Sequence, residues 1–358
     1  MTQAMTQARN VSIVGGGIAG LASALALARA GNRVSLHERA AHFDHVGAGL
    51  QLGPNAVRAL EILGAWEAVS PATYAPPAIL IRSAESGRVL KRVHLGRDFT
   101  ARFGQPYRVA HRADLHGGLL ETVRASKAIT LHMASEVSAL ELAKDMPVVA
   151  ADGIWSKTRE ALFPGVNVIK RSDHIFRALL PFPHAASAEL ECVNLWLYPQ
   201  GHVVHYPVSG GKKLNVVAVT QGERPWQFFS TASQGLREVL AMARDWLDWP
   251  AAHLPSLPAW HKDNIALIGD AAHGTLPYLA QGAAMALEDA CVLGECGTDF
   301  AAYEARRRAR CQKLHQETLN ARDIYHMGKL GSVARNFALT VMPERRFLSN
   351  LEWIYGWR

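Results

Sequence analysis

The stretch "VSIVGGGIAGLASALALARAGNRVSLHER", Val11 to Arg39, decides the fold. Val11 to Val14 reads as a short apolar strand, and Gly15 to Gly20 as a sharp turn. Leu21 to Ala30 is rich in alanine and leucine and therefore helical. Gly31 stops that helix, as a glycine just past a helix C-terminus does. Arg33 to His37 alternates as a second strand and ends at Glu38. This is a βαβ unit. Gly15, Gly17 and Gly20 spell GxGxxG between its first strand and its helix. The first glycine permits the tight turn, the second lets backbone approach a pyrophosphate, and the third lets helix and strand pack closely. The helix N-terminus offers free N–H groups and partial positive charge to phosphates. Glu38, 18 residues after Gly20, is placed to accept hydrogen bonds from ribose hydroxyls. A bound dinucleotide follows, but the motif alone does not separate FAD from NAD.

The remaining totals narrow the class. A chain of 358 residues, 49% hydrophobic and 19% charged, holds two domains or one large two-part fold with an ample core. The excess of 38 basic over 31 acidic residues favours anionic small molecules and does not call for nucleic acid. The densest basic run, "RRRAR" at Arg306 to Arg310, reads as a solvated helix face. Four cysteines show no metal-ligand spacing and are too few for a disulfide framework, so no metal is expected and the thiols are reduced, as in the cytoplasm. With no secretory signal and no apolar run of roughly 18 residues, neither export nor a membrane span is expected. The opening "MTQAMTQARN" repeats MTQA, consistent with two start codons and no chemistry.

Further along, residues 79–95 alternate about Gly87 as a hairpin, and Asp114 to Ser126 reads as a helix. "CVNLWLY", "HVVHYPV" and "LNVVAVT" form a run of strands within 190–221. Residues 234–248 read as an amphipathic helix, Ile265 to Ile268 as a buried strand, and Ala283 to Leu293 as a helix. The fold class is α/β: a dinucleotide-binding βαβ domain with an inserted antiparallel sheet and a helical C-terminus. The expected division assigns 8–75, 101–168 and 261–300 to the nucleotide-binding domain. It assigns 76–100 and 169–260 to the substrate sheet, and 301–358 to C-terminal helices.

Two further stretches carry a resemblance. "AADGIWSKTRE" holds Asp152-Gly153 after the apolar "PVVA", and "ALIGDAAHGTLPYLAQGAAMALEDA" holds Gly269-Asp270 after a strand. With "GAGLQLGPNA" (Gly47 to Ala56), "HRADLH" (His111 to His116) and the closing "YGW", the chain resembles the aromatic-ring-hydroxylating flavoprotein monooxygenases along nearly its whole length. The branch it looks most like holds salicylate hydroxylase, 3-hydroxybenzoate 6-hydroxylase and 6-hydroxynicotinate 3-monooxygenase. Three connections, near 143–148, 249–252 and 296–299, are short against that pattern, either because the chain is trimmed there or because residues are absent from each.

The resemblance implies the fold of p-hydroxybenzoate hydroxylase, with FAD as cofactor and NAD(P)H as a transient reductant. It also implies O2 delivered to an aromatic ring through a flavin C4a-hydroperoxide. It places FAD along Gly15, Gly17, Ile18, Ala19, Gly20, Glu38, Arg39, Gly49, Leu50, Arg112, Val137 and Asp152. The flavin end falls at Gly269, Asp270, Pro277, Gly282 and Ala283. Asp270 sits at a strand's carboxyl end, suited to ribityl hydroxyls, or else caps the next helix. Arg112 suits phosphate or ribityl oxygens. Asp152 either lines the pyrophosphate or stabilises a turn. His273 reads as a loop organiser.

The substrate side rests on "LYPQGHVVHYPV". In a strand His202 and Tyr206 share a face and His205 points the other way. Ionising a phenol that titrates near ~10 costs roughly 4 kcal/mol at pH 7, and a histidine can supply part of that. The resemblance, in which a His and a Tyr stand at this spacing, implies His202 as the base and Tyr206 as the hydrogen-bond donor or relay; the alternative is a partly exposed strand histidine. Trp196 and Phe229 are candidates for ring packing or for plain core. Pro277 stands where some relatives hold a polar residue against the substrate's acid group. The expected substrate is a small hydroxylated aromatic acid, salicylate- or 3-hydroxybenzoate-like. A larger heteroaromatic or polyketide-like substrate, or a flavin-bound regulatory protein, remains the alternative. No nucleic-acid or membrane partner is expected, and a homodimer is the candidate assembly.

Overall fold

The computed structural model describes residues 9–43, 47–183 and 187–358. The MTQA repeat, residues 1–8, lies outside them. In chain order the strands are β1 (Asn10–Val14), β2 (Arg33–His37), β3 (Gly49–Leu52), β4 (Ala78–Ser83), β5 (Val89–His94), β6 (Arg108–His111), β7 (Ile129–His132) and β8 (Val148–Ala150). They continue as β9 (Ile169–Pro181), β10 (Val193–Tyr198), β11 (Gly201–Val208), β12 (Lys213–Thr220), β13 (Leu247–His253), β14 (His261–Lys262) and β15 (Ile265–Leu267).

A six-stranded sheet runs β14-β15-β8-β1-β2-β7, and the five strands from β15 to β7 are parallel. Its strands are short and buried on both faces, as Val11, Ile13, Val34, Leu36, Val148 and Val149 attest. The helix Ile18–Arg29 packs on it, and Gly31 follows with φ +90°, a conformation glycine adopts without Cβ strain. Because β15, β8, β1 and β2 are parallel neighbours, the residues just beyond their carboxyl ends fall in a row. Those residues are Gly269-Asp270, Asp152, Gly15 and Glu38, four segments far apart in sequence.

A seven-stranded sheet, β13-β9-β12-β11-β10-β4-β5, is antiparallel except where β4 joins β10. One face is closed by the helix Gln234–Met242 with Trp196, Phe176 and Phe229. The other faces the 269–283 loop and the C-terminal helices, through Tyr206, Ile175, Val219 and Tyr278. The expected helix over 234–248 therefore ends early. Ala243 turns extended, Asp245 takes φ +48°, and Leu247 onward pairs with β9 as an edge strand. Aspartate tolerates that left-handed turn better than most residues.

From Gly282 onward the chain is helical: Gly282–Cys296, Phe300–Tyr325, Lys329–Val341, Glu344–Ser349 and Glu352–Tyr355. The basic run is not a solvated face. Arg307 is 1% exposed, and its guanidinium donates to Asp289 Oδ1 at 2.7 Å and Glu288 Oε2 at 2.8 Å. Arg310 reaches Glu288 at 2.6 and 2.8 Å and also the Ile354 carbonyl. Only Arg306, paired with Glu295, and Arg308, paired with Glu304, remain nearer solvent. Two buried carboxylates on the helix Gly282–Cys296 demand cations, which overrides the surface preference of a basic run.

Candidate active site

The glycine turn has the geometry its sequence requires. Gly15 has φ +105°, and a Cβ there would stand 2.5 Å from the Ala151 carbonyl oxygen. At Gly20 a Cβ would overlap the Gly15 carbonyl oxygen at 1.8 Å. Gly17 differs: nothing lies within 4 Å of its Cβ position. Gly282, opening the helix that follows the 269–283 loop, is equally open. Neither helix N-terminus is capped by a side chain, so both keep free N–H groups.

The flanking groups fit a dinucleotide laid along this row. Glu38 accepts from Gly16 N at 2.7 Å and Ala40 N at 2.9 Å, which holds its carboxylate at the end of β2. Arg39 is exposed beside it, and Val137 lies in the segment tied to Glu38 through the Ser135 N–H. Asp270, just beyond β15, is closely surrounded by protein but keeps solvent access. Burial raises its carboxyl above the usual range, against the pull of His273 and Arg112. Its side chain caps no helix, so it is free for hydroxyl donors. Arg112 begins the helix Arg112–Ala125 as an exposed residue whose charge reaches Asp270. Asp152 accepts from Thr158 N at 3.1 Å, which serves the turn, while its Oδ1 is buried without a partner among the described residues. His273 organises the loop: its Nε2 lies 2.5 Å from Asp289, whose Oδ2 also accepts from Gly269 N at 3.2 Å. Burial works against a charged His273, but Asp289 prevails and raises it well above the ordinary histidine range. An FAD-sized cofactor with two phosphates and a ribityl chain matches these open glycines, free amides and unpaired polar groups.

Gly49 joins the two sheets. Its N–H donates to Asn215 Oδ1 at 2.7 Å, and a Cβ there would meet Tyr206 Cε2 at 2.7 Å. Leu50 follows in β3, paired to Ala110 of β6. This close approach brings the seven-stranded sheet onto the cofactor row.

On that sheet His202, Tyr206, Asn215 and Arg177 share one face, as the pairings Tyr206↔Asn215, His202↔Val219 and Val217↔Arg177 require. His205 faces the other way and accepts from Trp196 Nε1 at 2.9 Å, so Trp196 belongs to the far layer with Phe229. His202 is buried, its Nδ1 3.0 Å from His326 Nε2, with the Tyr278 and Tyr325 rings each 5.4 Å away. Burial first, then His326, keeps it well below the normal histidine pKa and hence neutral. Tyr206 is held protonated by burial, despite the relief given by Arg177. Pro277 starts a short 3-10 turn that carries Tyr278, whose hydroxyl donates to Asp173 at 3.0 Å.

Sequence reading missed Arg177, Asn215, His326 and Asp173. Arg177 Nε and Asn215 Nδ2 are buried donors without acceptors among the described residues. Burial lowers the Arg177 pKa, Tyr206 offsets that in part, and the Arg112 cation lowers it further. Among the described residues no carboxylate balances it there. The alternating charge of β9 marks Arg177 as one of many candidates, and nothing local tells which face it takes.

The pattern of the FAD-binding-domain family matches residues 8–145 and 147–317. The chain belongs to this family of flavoproteins. It is 32% identical over 385 residues to 3-hydroxybenzoate 6-hydroxylase of Polaromonas naphthalenivorans (strain CJ2), covering 97% of this chain and 96% of the relative. Its fold superposes on Klebsiella pneumoniae HpxO, complexed with FAD and uric acid, at a TM-score of 0.83. That match is 20% identical and covers 97% of each chain. A salicylate hydroxylase substrate complex matches at 0.77 with 23% identity, covering 98% of this chain and 95% of that one. These two likenesses show the fold. The flavoprotein is an FAD-dependent aromatic monooxygenase, in keeping with the hydroxylases it resembles. Among the described residues no helix is long and apolar enough to cross a membrane.

Proposed function

We propose that this flavoprotein uses NAD(P)H and O2 to hydroxylate a small hydroxylated aromatic acid of the salicylate or 3-hydroxybenzoate type. One observation carries the substrate class. Two buried donors, Arg177 Nε and Asn215 Nδ2, lack acceptors on the face shared with Tyr206. A buried unpaired donor costs about 1–3 kcal/mol, more when charged, so this face calls for an anionic acceptor. A ring carboxylate suits it. The relative named 3-hydroxybenzoate 6-hydroxylase supports the same class.

In this reading Gly15, Gly17, Gly20, Glu38, Arg112, Asp270 and the helix at Gly282 hold FAD, which supplies the redox chemistry that activates O2. Arg177, Asn215 and Tyr206 orient the substrate acid. His202, neutral at pH 7, accepts the substrate's hydroxyl proton at its free nitrogen and so makes the ring electron-rich. Burial excludes water from the reacting ring. NAD(P)H binds transiently at the surface and acts as reductant, and a homodimer is the proposed assembly in the cytoplasm.

A panel of hydroxybenzoates and hydroxypyridines, scored for NAD(P)H oxidation and oxygenated product, tests the reading. Hydroxybenzoates are expected to accelerate oxidation and yield product, and His202→Ala to cut product formation by about 10²- to 10⁴-fold with flavin content near normal. Stimulation by hydroxypyridines alone, or product formation unchanged in His202→Ala, contradicts it.

A further inference from the structure

A base needs a lone pair on the correct nitrogen, and for a buried imidazole that is decided by what the other nitrogen touches. His202 Nδ1 and His326 Nε2 are 3.0 Å apart, with both rings buried. At that separation one nitrogen carries a proton and the other accepts it. His326 settles which. Its Nδ1 has no hydrogen-bond partner among the described residues and lies 3.9 Å from Asp173 Oδ1. Asp173 is fully buried and fixed by Arg322, at 2.5 Å to Oδ2 and 2.8 Å to Oδ1, and by the Tyr278 hydroxyl. Burial opposes its ionisation, but the hydrogen bonds and charge of Arg322 hold its carboxyl below the usual range.

A carboxylate beside His326 Nδ1 attracts an N–H and repels a lone pair. His326 is then protonated on Nδ1 and presents a bare Nε2. His202 must donate its Nδ1–H to that nitrogen. Its Nε2, which bonds nothing among the described residues, is left as the acceptor. The remaining neighbours are Arg322 and Asp323 on the helix Phe300–Tyr325, Arg335 on the next helix, and the rings of Tyr278 and Tyr325. Burial, against the pull of Asp173 and with Arg322 and Arg335 adding to it, lowers His326 to about 4, so it stays neutral and orients without itself taking the proton.

The helix end that carries His326 is firmly held. His326 caps Phe300–Tyr325 by donating its N–H to the Arg322 carbonyl. Arg335 donates to the Tyr325 carbonyl at 2.8 Å and the Ile324 carbonyl at 3.2 Å. The C-terminal helices thus reach back onto the substrate sheet at the residue the proposed function assigns as base.

We propose that His326, backed by Asp173, is a positioning residue that fixes His202 in its Nδ1–H tautomer, leaving Nε2 to take the substrate's hydroxyl proton. This rests on the assignment of His202 as base. When the substrate O–H bond breaks, its proton passes to His202 Nε2, the electron pair stays on the ring oxygen, and the resulting imidazolium keeps its Nδ1–H directed at His326. No second proton moves.

The test has two parts. In FAD-loaded wild type labelled with ¹⁵N-histidine, and assigned with His202→Gln, His202 is expected to show a protonated Nδ1 and a bare Nε2. The reverse pattern overturns the proposal without any variant of His326. In the second part, His326→Leu removes the acceptor and His326→Gln supplies one through its side-chain carbonyl. Leucine is expected to slow hydroxylation about 10²-fold, shift its pH profile and divert NAD(P)H oxidation to peroxide, with flavin content and flavin reduction rate kept. Glutamine is expected to recover most of that loss. Equal behaviour of the two, or a leucine variant as fast as wild type, overturns the positioning role. If the leucine variant does not fold, the glutamine variant's pH profile and the ¹⁵N pattern decide. Unchanged hydroxylation in His202→Ala would instead remove the base assignment on which this stands.

Discussion

Gly17→Ala separates a cofactor-shaped turn from a merely tight one. Gly17 has φ −73° and ψ −174°, a backbone open to any L-residue, and its Cβ position meets no atom within 4 Å. Alanine there restricts the unfolded chain, worth about 0.4–1 kcal/mol of stability. It also makes a poorer helix N-cap than glycine, an opposing effect of roughly 0.5–1 kcal/mol. The apoprotein is therefore expected to melt within about 4 °C of wild type. If the pyrophosphate crosses this glycine, the methyl group intrudes on it at an overpacking cost of about 1–3 kcal/mol, or roughly 5- to 150-fold in Kd. Titrating apoprotein with FAD by flavin fluorescence gives the affinity, and a thermal melt of the same apoprotein gives the control. Gly20→Ala is the contrast: its Cβ would lie 1.8 Å from the Gly15 oxygen, so it is expected to damage the fold itself. Wild-type FAD affinity in Gly17→Ala, or an apoprotein destabilised like Gly20→Ala, would refute the reasoning.

Two further outcomes follow from buried charge. Arg307→Ala removes the buried cation that Glu288 and Asp289 share, leaving Glu288 to Arg310 and Asp289 to His273, so urea denaturation is expected to show a loss of about 3 kcal/mol, the low end for a broken buried pair. His205 has its pKa lowered to about 3 by burial, with Arg82 adding to the effect. Its contribution is present above pH 6.5 and is lost as pH falls, because the unfolded chain takes up the proton and the folded one does not. Between pH 7.5 and 5.5 that loss is about 1.4 kcal/mol. His205→Gln, which can still accept from Trp196, is expected to shrink the difference in stability between those two pH values by this amount.

What the sequence made legible was local. The glycine turn and the strand ending at Glu38 are each set by a few neighbouring residues, so their spacing revealed them, while the Gly269-Asp270 loop was legible through its likeness to the flavoprotein monooxygenases. Alternation alone placed His202 and Tyr206 on one face and His205 on the other. What it hid was set by distant partners. Arg307 is buried because Glu288 and Asp289 lie inward on another helix, and a basic run by itself reads as surface. The strand at Leu247 exists because β9 offers an edge to pair with, while its own residues continue a helical pattern. His326 meets His202 only when the helix Phe300–Tyr325 crosses the sheet, and no spacing announces a contact between residues 124 apart.

The most direct test of oxygen insertion is a turnover in ¹⁸O2 with FAD-loaded enzyme, NAD(P)H and a hydroxybenzoate that accelerates its oxidation, read by mass spectrometry of the aromatic product. One ¹⁸O atom per product molecule is expected, and none from ¹⁸O-labelled water. Product oxygen drawn from water, or reductant consumed with no oxygenated aromatic formed from any hydroxybenzoate, would contradict it.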